Sequence, residues 1–321
     1  MRRRRTAPWT LAVISAWALA LPIFSAAKSE PQAPATAGAS ARTFDTPDAA
    51  VDALLDAAEK NDGAALDAIF GPEGEDIIHT GEPAREKERA AEFVAKAKQK
   101  KSLSPDPKSP DHTILVVGEE DWPFPVPIAK RDGKYFFDSK AGLQEILIRR
   151  IGGNELDAIQ ICHGYIEAQN EYALTKRTDG GVPQYAQRII ASEGKQDGLA
   201  WKNPDGTWGG PIGEHIAEVI ERGYAKGNPY HGYFFKILKG QGPAAPLGKM
   251  DYVVKGVMIG GFALIAAPAE YRVTGVKTFI CSNDGVVYEK DFGPDTPQQF
   301  KSMELFNPDP SWHPVESSED D

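Results

Sequence analysis

The chain has 321 residues, with 36 Lys plus Arg against 46 Asp plus Glu and a formal net charge of −10. A surface of that sign repels nucleic acid and anionic lipid, which sets nucleic-acid binding aside. Cys162 and Cys281 are the only cysteines, an even count that permits one disulfide in an oxidising compartment.

Arg2, Arg3, Arg4 and Arg5 precede an apolar run from Trp9 to Phe24, and Ser25, Ala26 and Ala27 close it. This order predicts a secretory signal peptide over residues 1–27, cut after Ala27. About 16 residues broken by Ser15 and Pro22 fall short of the roughly 20 that span a bilayer, so no stable membrane anchor is expected after cleavage. Thr6, Ala7 and Pro8 follow the arginines, a pattern of general secretion rather than twin-arginine export. Cleavage removes four arginines and no acids, leaving a mature charge of −14. The expected location is periplasmic or secreted.

Residues 28–42 hold Ala, Pro, Ser, Gln and Gly with few large apolar side chains, a composition that reads as a flexible leader. Residues 308–321 read as a solvated acidic tail. The interval suits two modest domains, 43–142 and 143–307.

Thr46-Pro47-Asp48 predicts a helix start, with Thr46 as cap and Pro47 in the first turn. Ala50, Leu54, Leu55, Ala58, Leu66, Ile69 and Phe70 continue at helical spacing, broken at Asn61-Asp62-Gly63 and ended by Gly71-Pro72. Ala84 to Lys101 predicts a surface helix. Short β-type runs follow at His112–Val117, Pro123–Arg131 and Lys134–Asp138, the last two joined across Asp132-Gly133 as a tight hairpin. Leu143 to Lys176 predicts helix, with a kink or break at Gly152-Gly153 and Asn154 capping its second half. Leu156, Ile159, Cys162, Ile166, Gln169 and Tyr172 mark one apolar face of that half. A loop-rich stretch over residues 178–213 and a short helix from Gly213 to Tyr224 come next. Strands are expected at Gly232–Leu238, Gly261–Ala267, Val276–Ser282 and Gly285–Lys290, with a hairpin at Asn283-Asp284-Gly285. The fold class is α+β, the second domain being one long helix on a four-strand antiparallel sheet. Cys281 then sits in a strand that faces the helix carrying Cys162.

Residues 44–140, with Leu66-Asp67-Ala68-Ile69-Phe70 and the hairpin Lys130–Phe137, resemble a cystatin-like or nuclear-transport-factor-like (NTF2-like) cone of helices and curved sheet. In the second domain, Asn154–Ile159, Ala168–Ala173, His231–Phe235, Phe262–Pro268, Gly275–Phe279 and Asp284–Tyr288 fall in the order seen in globular heads of type IV pilins and pseudopilins. The chain lacks a prepilin peptidase site and an apolar helix leading into the head, so the resemblance does not imply polymerisation. Residues 44–314 as a whole resemble an exported bacterial family known only as domain of unknown function 2950, a resemblance that implies no particular chemistry.

No catalytic constellation stands out. Gly240-Gln241-Gly242-Pro243-Ala244-Ala245 fits a loose dinucleotide fingerprint, but Pro243 and Pro246 forbid the helix it requires. The histidines lack zinc-ligand spacing, His215 included. Asn203, Asp205 and Glu214 lack the ladder of a calcium loop, and Glu119-Glu120-Asp121 with Asp251 read as ordinary solvated acids. No metal or cofactor is expected. A Cys162–Cys281 bridge is expected instead of a reactive thiol. Trp122, Tyr135 and Phe137 are candidates to line a pocket in the first domain, which would suit a small-ligand binder or hydrolase. Trp201, Trp208, Tyr230 and Tyr233 lie in or beside glycine-rich loops and are candidates for partner contact. The leading expectation is a non-catalytic adaptor or accessory factor that contacts another envelope protein.

Overall fold

The computed structural model describes residues 40–80, 83–176, 181–222 and 227–315. The expected signal peptide, most of the leader and the acidic end Glu316–Asp321 lie outside the described residues. The chain forms two compact units that divide between Arg149 and Arg150.

The first unit opens with helix α1 (Pro47–Lys60), where the Ala49 N–H donates to Thr46 Oγ1 at 3.1 Å. Asn61 ends it in the left-handed region at φ 52°, and Asp62 then caps α2 (Gly63–Phe70) through the Ala65 N–H. The Asn-Asp-Gly break thus serves both helices, ending one and starting the next. A 3-10 turn, α3 (Glu75–Ile78) and α4 (Pro83–Gln99) follow. An antiparallel sheet runs in the order β1 (Lys101–Asp106), β2 (Ser109–Val117), β4 (Ile128–Arg131), β5 (Lys134–Phe137), with β3 (Trp122–Pro123) also paired to β2. Asp132 and Gly133 both have positive φ, 51° and 76°, which makes the β4–β5 connection a type I′ hairpin. Leu54, Ile69, Phe70, Phe93, Leu115, Val117, Ile128 and Phe137 form the core between helices and sheet.

Strand β1 is a departure from the sequence expectation. Lys101-Ser-Leu-Ser-Pro-Asp has only Leu103 and Asp106 half-buried, so it carries little apolar alternation. It is an edge strand, with its irregularity at Pro105/Asp106, where proline is tolerated.

Helix α5 (Ser139–Thr175) begins in the first unit and ends in the second as one 37-residue element. Of the kink or break expected at Gly152-Gly153, the break is absent. Asn154 does not cap a second helix; its Nδ2 donates to the Thr274 carbonyl at 2.8 Å. Tertiary contacts along the helix outweigh the ~1 kcal/mol per glycine that would otherwise favour a break.

In the second unit the buried face of α5 is Ala158, Cys162, Tyr165, Ala168, Gln169 and Tyr172. Leu156, expected on that face, is 63% exposed; the face is rotated toward alanine, cysteine and tyrosine. These residues share a core with an antiparallel sheet ordered β17 (His313–Pro314), β16 (Val287–Lys290), β15 (Thr278–Ser282), β14 (Ala263–Pro268), β9 (Tyr233–Leu238). A second sheet joins β6 (Arg188–Ile190), β7 (Gly198–Lys202) and β8 (Trp208–Gly209), with β6 parallel and β8 antiparallel to β7. Helix α6 (Glu214–Arg222) follows it. Two short ribbons complete the unit, β10 (Gly240–Gln241) with β11 (Met250–Asp251), and β12 (Val253–Val254) with β13 (Val257–Met258). Helix α7 (Thr296–Ser302) precedes β17.

Strand β17 comes from the stretch read as a solvated tail. Trp312 is only 7% exposed and its ring meets Phe292 edge-on at 5.5 Å, so this stretch is packed at Trp312 rather than solvated.

Gln169 is the one large polar side chain on the buried face of α5. Its Nε2 donates to Tyr165 Oη at 2.9 Å and to the Ala186 carbonyl at 2.8 Å, while its Oε1 accepts the Ala186 N–H at 2.8 Å. The carboxamide thus pairs with the backbone of Ala186 as a neighbouring strand would. Gln169→Ala removes both partners of a buried peptide unit and is expected to cost about 2–4 kcal/mol in denaturant unfolding, with early loss of Ala186 amide protection from exchange. A Cβ built on Gly152 meets nothing within 4 Å, so Gly152→Ala is expected to stabilise by about 0.5–1 kcal/mol, read as a raised Tm.

Candidate partner-binding face

Trp201 and Trp208 lie on adjacent strands, with Trp201 opposite Gly209 and Lys202 opposite Trp208. The connecting turn closes on itself. Asn203 N–H donates to the Thr207 carbonyl at 2.9 Å, and Asp205 Oδ1 accepts the Thr207 N–H at 3.0 Å and hydroxyl at 2.6 Å. The Thr207 hydroxyl bond, followed by its N–H, holds the Asp205 carboxyl below the usual carboxylate range. Gly206, at φ 85°, supplies the left-handed residue that the turn requires.

Both indoles are half-buried and each lies under a lysine. Lys176 Nζ is 5.0 Å from the Trp201 ring and Lys202 Nζ is 5.1 Å from the Trp208 ring, within the range where ammonium and ring attract. Lys202 also pairs with Glu221 at 2.8 Å, and Lys176 with the Gln196 carboxamide. Tyr172 Oη donates to the Gln196 carbonyl at 2.6 Å, and burial pushes that hydroxyl up. Glu171, Tyr172, Thr175, Lys176, Trp201, Gly210 and Pro211 line a shallow concavity of about 360 Å³.

Two glycines make this arrangement possible. A Cβ on Gly209 would stand 2.6 Å from Trp201 Nε1, and one on Gly210, at φ 108°, would stand 2.3 Å from the Leu199 carbonyl. The tryptophan edge and the strand backbone occupy the space any larger residue would need.

Tyr230 belongs to a different turn and Tyr233 to the core. Tyr230 and Tyr233 exchange backbone hydrogen bonds around His231 (φ 48°) and Gly232 (φ 73°), a two-residue I′ turn. His231 Nδ1 lies 2.6 Å from Asp157 Oδ2, and the Tyr230 ring meets the imidazole edge-on at 4.4 Å. Burial, then the Asp157 charge, raises the Tyr230 hydroxyl above its ordinary range. Tyr233 is 0% exposed, and its hydroxyl donates to the Lys277 carbonyl at 2.8 Å. It is therefore a core residue rather than a partner contact, with Gly275 leaving room for its ring. The Asp157–His231 pair, and Glu155 Oε1 accepting the Val276 and Lys277 N–H groups at 2.8 and 2.9 Å, join residues too distant in sequence for spacing to reveal.

Of the proposed pocket rings of the first unit, Phe137 and Trp122 pack against other rings. Phe137 is 1% exposed, with its centroid 5.4 Å from Phe70 and 6.2 Å from Phe124. Trp122 meets Phe124 edge-on at 6.2 Å and lies under the Arg149 guanidinium at 5.7 Å. Tyr135 shares backbone hydrogen bonds with Phe44 and a ring contact with Lys130. A concavity of about 270 Å³ in this unit lies instead between α1 and α4, lined by Ala58, Glu59, Asn61, Lys87, Ala91, Val94, Ala95 and Lys98.

The acidic loop Glu119-Glu120-Asp121 is engaged by lysines, Glu120 with Lys96 and Asp121 with Lys100. In the Gly240–Ala245 stretch the Gln241 side chain donates to the Gly248 carbonyl at 2.6 Å and accepts the Tyr252 hydroxyl at 2.9 Å. No helix follows β10, as the prolines require. Among the described residues no three His, Cys, Asp or Glu side chains are grouped to hold a metal ion. Among the same residues no helix is long and apolar enough to cross a membrane.

Cys162 and Cys281 lie together, but the bridge expected between them is not formed. Both are free thiols and fully buried, and Cys281 Sγ donates to the Cys162 carbonyl at 3.7 Å. Burial, and then a hydrogen bond with the Cys162 thiol, push the Cys281 thiol well up.

No curated protein and no solved structure matches the chain. Residues 41–315 match the model of the family described as Protein of unknown function (DUF2950), and the chain belongs to that family.

Proposed function

We propose that the mature chain is an exported, non-catalytic accessory protein that acts by contact with another envelope protein, through the concavity beside Trp201. The observation that carries this reading is the half-buried Trp201 indole at a concavity walled by Gly210 and Pro211; Trp208, in register with Lys202, stands on the other face of the ribbon. Aromatic side chains on rigid strands offer a partner large apolar area at low cost in ordering entropy. Glu171 and Lys176 at the same concavity provide polar groups that can fix orientation.

Export rests on the arginine cluster, apolar run and small-residue cut site of residues 1–27. The finer fold reading belongs to the same proposal. The second half of α5 over an antiparallel sheet supports a pilin-head-like second unit, and helices against the β1–β5 sheet support a cystatin-like or NTF2-like first unit.

The test is site-specific photo-crosslinking in intact cells, with the reactive residue at Glu171, which lines the concavity, or at the exposed Lys108 of the first unit. A discrete adduct from 171 and none from 108 is expected. Against that partner, purified, Trp201→Ala should weaken binding by roughly 30-fold with the melting curve retained, because buried interface aromatics are worth about 2 kcal/mol or more. Unchanged affinity in Trp201→Ala, or an equal loss in Trp208→Ala on the opposite face of the ribbon, would overturn the assignment.

A further inference from the structure

Cys162 lies on the buried face of α5 and Cys281 in β15, between β14 and β16, where it stands opposite Leu264 and Val287. The two are 119 residues apart in sequence, yet the Cys281 thiol donates to the Cys162 carbonyl. Their surroundings are closed: Ala158, Tyr165, Leu264 and Ile280 are buried in the same core. A disulfide oxidant must bring its own sulfur into line with the attacking thiolate, which requires access. At zero exposure neither cysteine offers it.

We propose that Cys162 and Cys281 become a disulfide during folding, before α5 docks on the sheet, and that the finished core then seals the bond from solvent. The chemistry is two successive exchanges with a disulfide oxidant, either a small molecule or a protein. The thiolate of one cysteine attacks that oxidant, forming a mixed disulfide and expelling one oxidant thiolate. The second cysteine's thiolate attacks the protein-side sulfur, closing the S–S bond and expelling the other. Two S–H bonds are lost from the protein, and the two electrons leave with the oxidant, now two thiols. The proposal rests on the export reading, because such oxidants persist outside the reducing cytosol.

The experiment compares two starting states of the full mature chain in one glutathione redox mixture. Chain that is reduced and unfolded, then refolded in the mixture, should lose two hydrogens by intact mass and resist alkylation in guanidinium. Its unreduced digest should yield the Cys162 and Cys281 peptides joined. Chain folded in the reduced state first should oxidise at least about 100-fold more slowly, because reaction waits on opening of the core. The oxidised form should melt on the order of 10 °C higher, a shift absent in Cys281→Ala. Two alkylatable thiols after oxidative refolding would overturn the pairing, and equal oxidation rates from both states would overturn the sealing. Acid-trapped protein from cells separates the premise from the geometry. Free thiols there, in a chain that forms the bond readily in vitro, would overturn the export reading and with it the bond in the cell.

Discussion

The second unit depends on how a mostly small-residue helix face can hold a five-stranded sheet and still seat a glutamine at its centre. Ala158, Cys162 and Ala168 share the buried core of that sheet, and Tyr165 and Tyr172 add aromatic bulk beside them. Gln169 would be a costly guest there without partners. With Ala186 and Tyr165 supplying three hydrogen bonds, it fixes both the helix and the irregular segment entering β6. Buried polar groups confer specificity of this kind only when satisfied, since a half-satisfied one is worse than an apolar substitute. The location of the second sheet, and with it the indole pair, follows from that attachment.

The partner face illustrates how rigidity can arise in a loop-rich stretch. Neither β6 nor β8 exceeds three residues, yet each connection flanking β7 is closed by a carboxylate, Asp197 across the β6–β7 loop and Asp205 in an Asx turn. Ser192 donates N–H and Oγ to Asp197, at 2.7 and 2.9 Å, much as Thr207 does to Asp205. Carboxylates held this way are acceptors for local backbone rather than ligands waiting for a cation. The acidity of the chain is thus partly spent on turn geometry, a use that composition alone does not distinguish from a binding function.

What could be read from the residues follows the range of the forces involved. Caps at Thr46 and Asp62, the Asp132-Gly133 hairpin and the run of strands from β14 to β16 rest on neighbours in sequence, and these were visible as propensity and pattern. Strand β1 was not, because an exposed edge strand has no buried alternation to display. The unbroken α5 was not, because contacts such as Asn154 to Thr274 come from a segment far along the chain. The aromatic candidates divided for the same reason. Trp201 and Trp208 share a local hairpin, whereas the burial of Tyr233 depends on Gly275 and Lys277, and that of Phe137 on Phe70 and Phe124.

Strand β17 and the residues around it impose an order of events on synthesis. Phe306 exchanges backbone hydrogen bonds with Gly240 and Gly242, and the Val315 N–H donates to the Val287 carbonyl. The outer margin of the sheet is therefore covered by a strand that follows all its neighbours in the chain. As the chain is made from its N-terminus, β16 keeps one hydrogen-bonding edge open until His313 and Pro314 have followed it. A bare strand edge is a template for foreign pairing, so the interval between making β16 and making β17 leaves this unit open to association with another growing chain.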